Sequence, residues 1–131
     1  MPTVLLVEDN PANMTLATFL LKSAGYAVLS ATDAEAGLSL ARREHPDLVL
    51  MDIQLPGMDG LQACAILKTD EATQDIPVFA LTALAMKGDE ERIRAAGCDG
   101  YIAKPLAYKE FLATIASQLE KTAALKTLTQ P

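Results

Sequence analysis

Side chains able to handle phosphate or a metal ion stand at the ends of apolar runs in this chain. Thr3-Val4-Leu5-Leu6-Val7 leads into Glu8-Asp9, and Leu48-Val49-Leu50-Met51 leads into Asp52. Val78-Phe79-Ala80-Leu81 leads into Thr82, and Tyr101-Ile102-Ala103 leads into Lys104. An ionised carboxylate beside an apolar strand is expensive to desolvate unless something compensates it. Three of them together repel one another, so at least one binds its proton more tightly unless cations intervene. Lys104 supplies one cation as a mobile ammonium. A second can be a divalent ion, and a site of few carboxylates plus water suits Mg²⁺, with Mn²⁺ as a substitute. Such a site suits a phosphoryl group held on Asp52, because a carboxylate can act as nucleophile and form an acyl phosphate. Asp9 and Asp52 would share the ion, Glu8 would hold a water on it, and Thr82 and Lys104 would donate to phosphoryl oxygens. Ala83 leaves room beside the acceptor. Little else is needed where positioning and charge neutralisation do most of the work. The plainer reading is a set of separately solvated strand ends, but coincidence at four strands weighs against it.

The elements that must position these residues follow from periodicity. Five short apolar runs are expected as strands: 3–7, 26–30, 47–51, 76–81 and 101–103. Nearly unbroken apolarity in the first, third and fourth suits strands covered on both faces. Helices are expected between them. Asn10-Pro11 reads as an N-cap followed by proline at the first helical position, with Gly25 closing that helix after about Ala24. Thr32-Asp33-Ala34-Glu35 matches a capping box, and Pro46 stops the second helix, with His45 as a solvated helix end. Further helices are expected from Asp59 to about Thr69, from Met86 to Ala96, and from Tyr108 to Lys121. Residues 122–131 have weaker patterning and are expected to fray. Strands alternating with helices argue for a parallel sheet with helices on both faces, whose strand ends converge along one edge.

Composition narrows the function classes. The chain has 131 residues, one domain's length, and a formal net charge of −6. That charge argues against nucleic-acid binding through the overall field. No signal segment precedes the first strand and no run is long enough to span a bilayer, so a cytoplasmic protein is expected. Cys64 and Cys98 form neither a CxxC nor a zinc-ligand pattern and are read as packed or partly exposed free thiols.

Four motifs in order carry a family resemblance. They are Val7-Glu8-Asp9-Asn10, Met51-Asp52 through Asp59-Gly60, Leu81-Thr82-Ala83, and Gly100-Tyr101-Ile102-Ala103-Lys104-Pro105. With them the chain resembles the receiver domain of two-component response regulators from about Thr3 to Leu119. The resemblance implies a flavodoxin-like α/β fold, a five-stranded parallel sheet of order 2-1-3-4-5 with five helices. It implies a receiver over 1–121 and a short tail over 122–131. Asp52 would accept a phosphoryl group from a histidine kinase or histidine phosphotransfer protein, with Mg²⁺ bound by Glu8, Asp9, Asp52 and the backbone carbonyl of Gln54. Thr82 and Tyr101 would form the switch, Thr82 drawn to the phosphoryl group and the Tyr101 ring turning inward. The Lys104-Pro105 bond is usually cis in the family. Gln54 and Leu84 stand where family members tune acyl-phosphate lifetime. The implied protein is a phosphoacceptor for signalling rather than an enzyme, catalysing only its own phosphotransfer and autodephosphorylation. The readout would be a downstream protein bound through the fourth helix, fifth strand and fifth helix, where Met86, Ala95, Ala96, Ala103, Leu106 and Tyr108 could form an apolar patch. Neither nucleic acid nor membrane is an expected partner.

Rival readings fare worse. A dehalogenase-type phosphatase needs a second acid two positions after the nucleophile, where this chain has Gln54. A flavodoxin-like nucleotide binder needs hydroxyls and backbone donors in the first loop, which here is Glu8-Asp9, and there is no GxGxxG. An inactive pseudo-receiver would lack part of the acid, threonine and lysine set. The Glu8-Asp9-Asn10 and Asn13 pattern resembles single-domain cell-division regulators and the receivers of hybrid kinases. Met1 directly before the first strand favours the stand-alone form.

Overall fold

Each apolar run becomes a strand, and each strand is followed by a helix. The computed structural model describes residues 1–83, 87–104 and 107–129, leaving aside the side chains of 87–89 and 125–129. The order is β1 (Thr3–Val7), α1 (Pro11–Ser23), β2 (Ala27–Ala31), α2 (Ala34–Glu44), β3 (Leu48–Asp52), α3 (Gly60–Thr69), β4 (Val78–Thr82), α4 (Lys87–Ala95), β5 (Gly100–Ala103) and α5 (Tyr108–Thr129). The strands form one parallel sheet in the order β2-β1-β3-β4-β5. This is the flavodoxin-like arrangement that the family resemblance implies.

Alternation along the strands divides the core in two. Val4, Leu6, Leu48, Leu50 and Leu81 pack on one face against Ala17, Leu20 and Leu21 of α1 and Phe111, Ile115 and Leu119 of α5. Leu5, Val7, Val49, Met51 and Val78 pack on the other against Ala34, Leu38 and Ala41 of α2 and Ala63, Cys64 and Leu67 of α3. β3 and β4 are buried along their whole length. A fully buried leucine or valine stabilises by about 1.5–3 kcal/mol relative to exposure, so these central strands anchor the sheet.

Several boundaries differ from expectation, each for a local reason. The capping box at Thr32 does not form. Asp33 is the N-cap instead, its side chain accepting the Ala36 N–H at 2.8 Å. With the helix phase set there, Ala34 and Gly37 are buried and Ala36 is exposed. A capping box forms at α3, where Asp59 and Gln62 exchange side-chain and backbone hydrogen bonds at 2.8 and 3.1 Å. β3 starts one residue late because Asp47 binds back to Thr3: its carboxylate accepts the Thr3 N–H and its own N–H donates to the Thr3 carbonyl, both at 2.8 Å. Asp52 is therefore the last strand residue, in register with Leu81. β4 begins at Val78, after Pro77, which has no N–H to give a ladder. His45 caps α2 in the left-handed region with φ of 45° and faces Asp75 at 3.1 Å. α5 continues past Lys121 to Thr129, through Ala123, Ala124, Leu125 and Lys126, residues of good helix propensity with no break before Pro131.

One glycine fixes how closely α3 approaches the end of β3. A Cβ on Gly60 would lie 2.1 Å from the Asp52 carbonyl oxygen and 2.6 Å from the Ile53 Cα, both backbone atoms that cannot rotate away. Gly60→Ala is expected to destabilise the protein by about 1–3 kcal/mol through overpacking. Urea unfolding checks this, and an unchanged midpoint would contradict the close approach.

Candidate functional site

Parallel pairing brings the carboxyl ends of β1, β3, β4 and β5 to one edge. Glu8 follows β1 directly and its N–H donates to the Ala31 carbonyl of β2 at 3.0 Å, which holds it against the sheet. Asp52 closes β3, and Thr82 closes β4. Lys104 follows β5, its N–H bound to the Thr82 carbonyl at 2.8 Å. That backbone contact aims the lysine from the sheet edge back over the central strands.

The lysine ammonium reaches both buried carboxylates. Nζ donates to Glu8 Oε1 at 2.8 Å and to Asp52 Oδ2 at 3.0 Å. Asp52 Oδ1 accepts the backbone N–H of Gln54 at 2.9 Å, so both its oxygens are oriented. Glu8 and Asp52 are only 1% and 4% exposed, whereas Asp9 is open to solvent. Each of the three offers an oxygen within 4.8 Å of the others. Burial first, then the Asp52 carboxylate, push the Glu8 carboxyl up to about 7 despite the opposing pull of Lys104. Burial alone would lower Lys104, but hydrogen bonds to Glu8 and then Asp52 outweigh it and hold the ammonium above its ordinary range.

The residues fit a small hard dication. Glu8 Oε2 is buried and has no hydrogen-bond partner among the described residues. A buried carboxylate oxygen is rarely left so, and a cation or its bound water would satisfy it. Three carboxylates against one ammonium also leave two negative charges when all are ionised, the deficit one divalent ion neutralises.

The structure thus brings together Glu8, Asp9, Asp52 and Lys104. Thr82 is buried at the adjacent strand end, and Ala83 beyond it is exposed. Gln54 is exposed beside Asp52. Tyr101, half-buried on β5, donates its hydroxyl to Glu90 of α4, and that acceptor raises the phenol above its usual value. Glu90 carries no sequence signal; only the packing of α4 beside β5 reveals it. Leu84, Met86, Pro105 and Leu106, and with them the Lys104-Pro105 bond, lie outside the described residues.

A family model described as the response regulator receiver domain matches residues 4–116. The chain belongs to that family. Over 117 residues this receiver is 50% identical to the polar-differentiation response regulator DivK of Brucella ovis, covering 89% of this chain and 95% of that one. Among solved structures it is similar to the receiver domain of the sensor histidine kinase PA1611 from Pseudomonas aeruginosa PAO1, which has a magnesium ion coordinated in its active-site cleft. The two share 36% identity at a TM-score of 0.85, over 91% of this chain and 98% of that one. Chemotaxis protein CheY4 of Vibrio cholerae aligns with a TM-score of 0.84 at 25% identity, over 89% of this chain and 98% of that one.

The raised Glu8 fixes a pH dependence for the metal-free receiver. Its folded carboxyl holds a proton from 4.5, the ordinary value, up to about 7. The associated stability is fully present below the ordinary value and lost as pH rises through about 7. Glu8→Gln imitates the protonated form at every pH. In chelator, the variant is expected to exceed wild type at about pH 8 by something on the order of 2 kcal/mol, with the gap closing toward about pH 5. Urea unfolding across pH measures this, and a gap that widens toward acid would contradict it.

Proposed function

We propose that Asp52 of this receiver takes one phosphoryl group from a phosphohistidine on a histidine kinase or a histidine phosphotransfer protein. The observation that carries the proposal is the Lys104 ammonium held by Glu8 and Asp52 together, 2.8 and 3.0 Å away. A cation parked on the acceptor carboxylate lies where new negative charge would arrive. In the transfer, an Asp52 carboxylate oxygen bonds to phosphorus as the phosphorus–nitrogen bond breaks, and the imidazole leaves and takes up a proton. Lys104 then exchanges carboxylate for phosphoryl oxygen, and the Thr82 hydroxyl supplies another donor. Mg²⁺, with Mn²⁺ as a substitute, would be held by Glu8, Asp9, Asp52 and the Gln54 carbonyl, and supplies charge neutralisation for the phosphoryl oxygens when bound. Exposed Ala83 leaves the approach open. Water attack on phosphorus would return the free carboxylate and inorganic phosphate, so the protein catalyses only its own phosphotransfer and autodephosphorylation.

The phosphorylated state is read by a downstream protein through α4, β5 and α5. Thr82 and Tyr101 form the switch: new contacts at the phosphoryl group shift an equilibrium only as far as they differ between its states. The Tyr101–Glu90 hydrogen bond supports this, because it gives the ring one defined partner on α4 to leave. Ala95, Ala103 and Tyr108 are exposed on the proposed readout face. Leu16 and Phe19, 44% and 67% exposed on α1, give the donor protein an apolar surface on the helix that begins just after Asp9. Likeness to polar-differentiation regulators supports a target in that process. This reading places the protein in the cytoplasm, with neither nucleic acid nor membrane as a partner. Among the described residues no helix is long and apolar enough to cross a membrane.

Intact-mass measurement after incubation with acetyl phosphate and Mg²⁺ tests the acceptor. Wild type should gain the mass of one phosphoryl group and Asp52→Asn none. Equal labelling of the two would overturn the assignment.

A further inference from the structure

The two cysteines, 34 residues apart in sequence, meet in the fold with Sγ atoms 2.7 Å apart. Cys64 lies on the buried face of α3, and Cys98 is half-buried in the turn between α4 and β5. Neighbouring contacts hold the pair in place. One helical turn beyond Cys64, Lys68 donates to Asp99, the residue after Cys98, and to the Ile76 carbonyl, both at 3.0 Å. The same Asp99 oxygen accepts the Val78 N–H of β4 at 2.8 Å. Gly97 packs directly over the Lys68 side chain, where an added Cβ would come within 3.3 Å. The turn is therefore clamped to α3 and β4 on both sides of Cys98, and the thiols need little movement to bond.

We propose that Cys64 and Cys98 form a reversible redox couple whose disulfide ties α3 to the turn that carries the chain from α4 into β5. Cys98 is the attacking sulfur, being the more accessible and having its thiol lowered first by its contact with Cys64; the buried Cys64 is pushed up and serves as the resolving thiol. With a peroxide as oxidant, the Cys98 thiolate takes one oxygen as the O–O bond breaks, giving a sulfenic acid and hydroxide. Cys64 then loses its proton and attacks the Cys98 sulfur, the sulfur–oxygen bond breaks, and water leaves. Two thiols and one peroxide become one disulfide and two waters. Thiol reductants reverse the bond by exchange.

The bond would act on the readout face. Cys98 packs against the buried cluster of Ile53, Ala80 and Ile93, which Tyr101 also borders, so that cluster links its surroundings to the residue after Asp52 and to the switch tyrosine. Joining it to α3 restrains the turn on which α4 and β5 both depend. Phosphorylation chemistry at Asp52 is not needed for the cross-link to form.

Mass spectrometry of the reduced protein treated with stoichiometric hydrogen peroxide tests the proposal. The expected product is a monomer lighter by two hydrogens, with free thiols falling from two to none, a linked peptide joining Cys64 to Cys98, and full recovery in dithiothreitol. Amide exchange in the turn before β5 should slow in that form. Cys98→Ser should abolish the product, as should Cys64→Ser; the Cys98 variant changes the half-exposed position and keeps the test valid if replacement at buried Cys64 unfolds the protein. Cysteines unreacted, sulfinic acid on Cys98 without a cross-link, or disulfides only between molecules would each overturn the proposal.

Discussion

Two buried carboxylates at adjacent strand ends, bridged by one ammonium, set the condition that the rest of the structure meets. Glu8 and Asp52 come out of water as the consequence of ending β1 and β3, strands whose apolar residues are wholly covered. Without Lys104 the pair would be buried like charges, and losing one partner from a buried ion pair costs roughly 3–5 kcal/mol. The lysine therefore has to arrive from β5, two strands from β3, at a fixed height. The parallel register of β3, β4 and β5 and the Lys104–Thr82 backbone bond deliver it there. Even so, compensation is incomplete: Glu8 retains an oxygen with no partner among the described residues, and its carboxyl is raised above the usual range. A site left short of positive charge is poised to take a cation.

Positioning of Asp52 is as tightly constrained as its charge. Its backbone is pressed by Gly60 at the start of α3, its Oδ1 is held by the Gln54 amide, and its Oδ2 by Lys104. The capping box at Asp59 and Gln62 fixes where α3 begins. On the proposed reading, an acceptor so oriented would lose little freedom on reaction, a gain that positioning alone supplies.

The sequence made the strands and the acidic edge legible because buried parallel strands are continuous apolar runs and their polar ends stand out; the sheet order followed only from the family resemblance. Glu8, Asp9, Asp52, Thr82 and Lys104 could all be located that way. Competing caps were not separable: Thr32 and Asp33 are both good N-caps, and only the packing of Ala34 and Gly37 against the sheet decides for Asp33. The Cys64–Cys98 meeting and the Tyr101–Glu90 bond were invisible for a different reason. They depend on side-chain directions across α3, α4 and β5, which no local pattern records. The length of α5 was underestimated because apolar spacing weakens after Leu119, although helix propensity does not.

On the proposed reading, Lys104 neutralises the acceptor carboxylate at rest and the phosphoryl group once transferred. A crystal structure of the protein with Mg²⁺ and beryllofluoride measures this directly. Beryllofluoride is expected on an Asp52 oxygen, with the Lys104 ammonium moved from Asp52 Oδ2 to a fluorine. An ammonium still bridging Glu8 and Asp52, with beryllofluoride bound elsewhere or not at all, would contradict it.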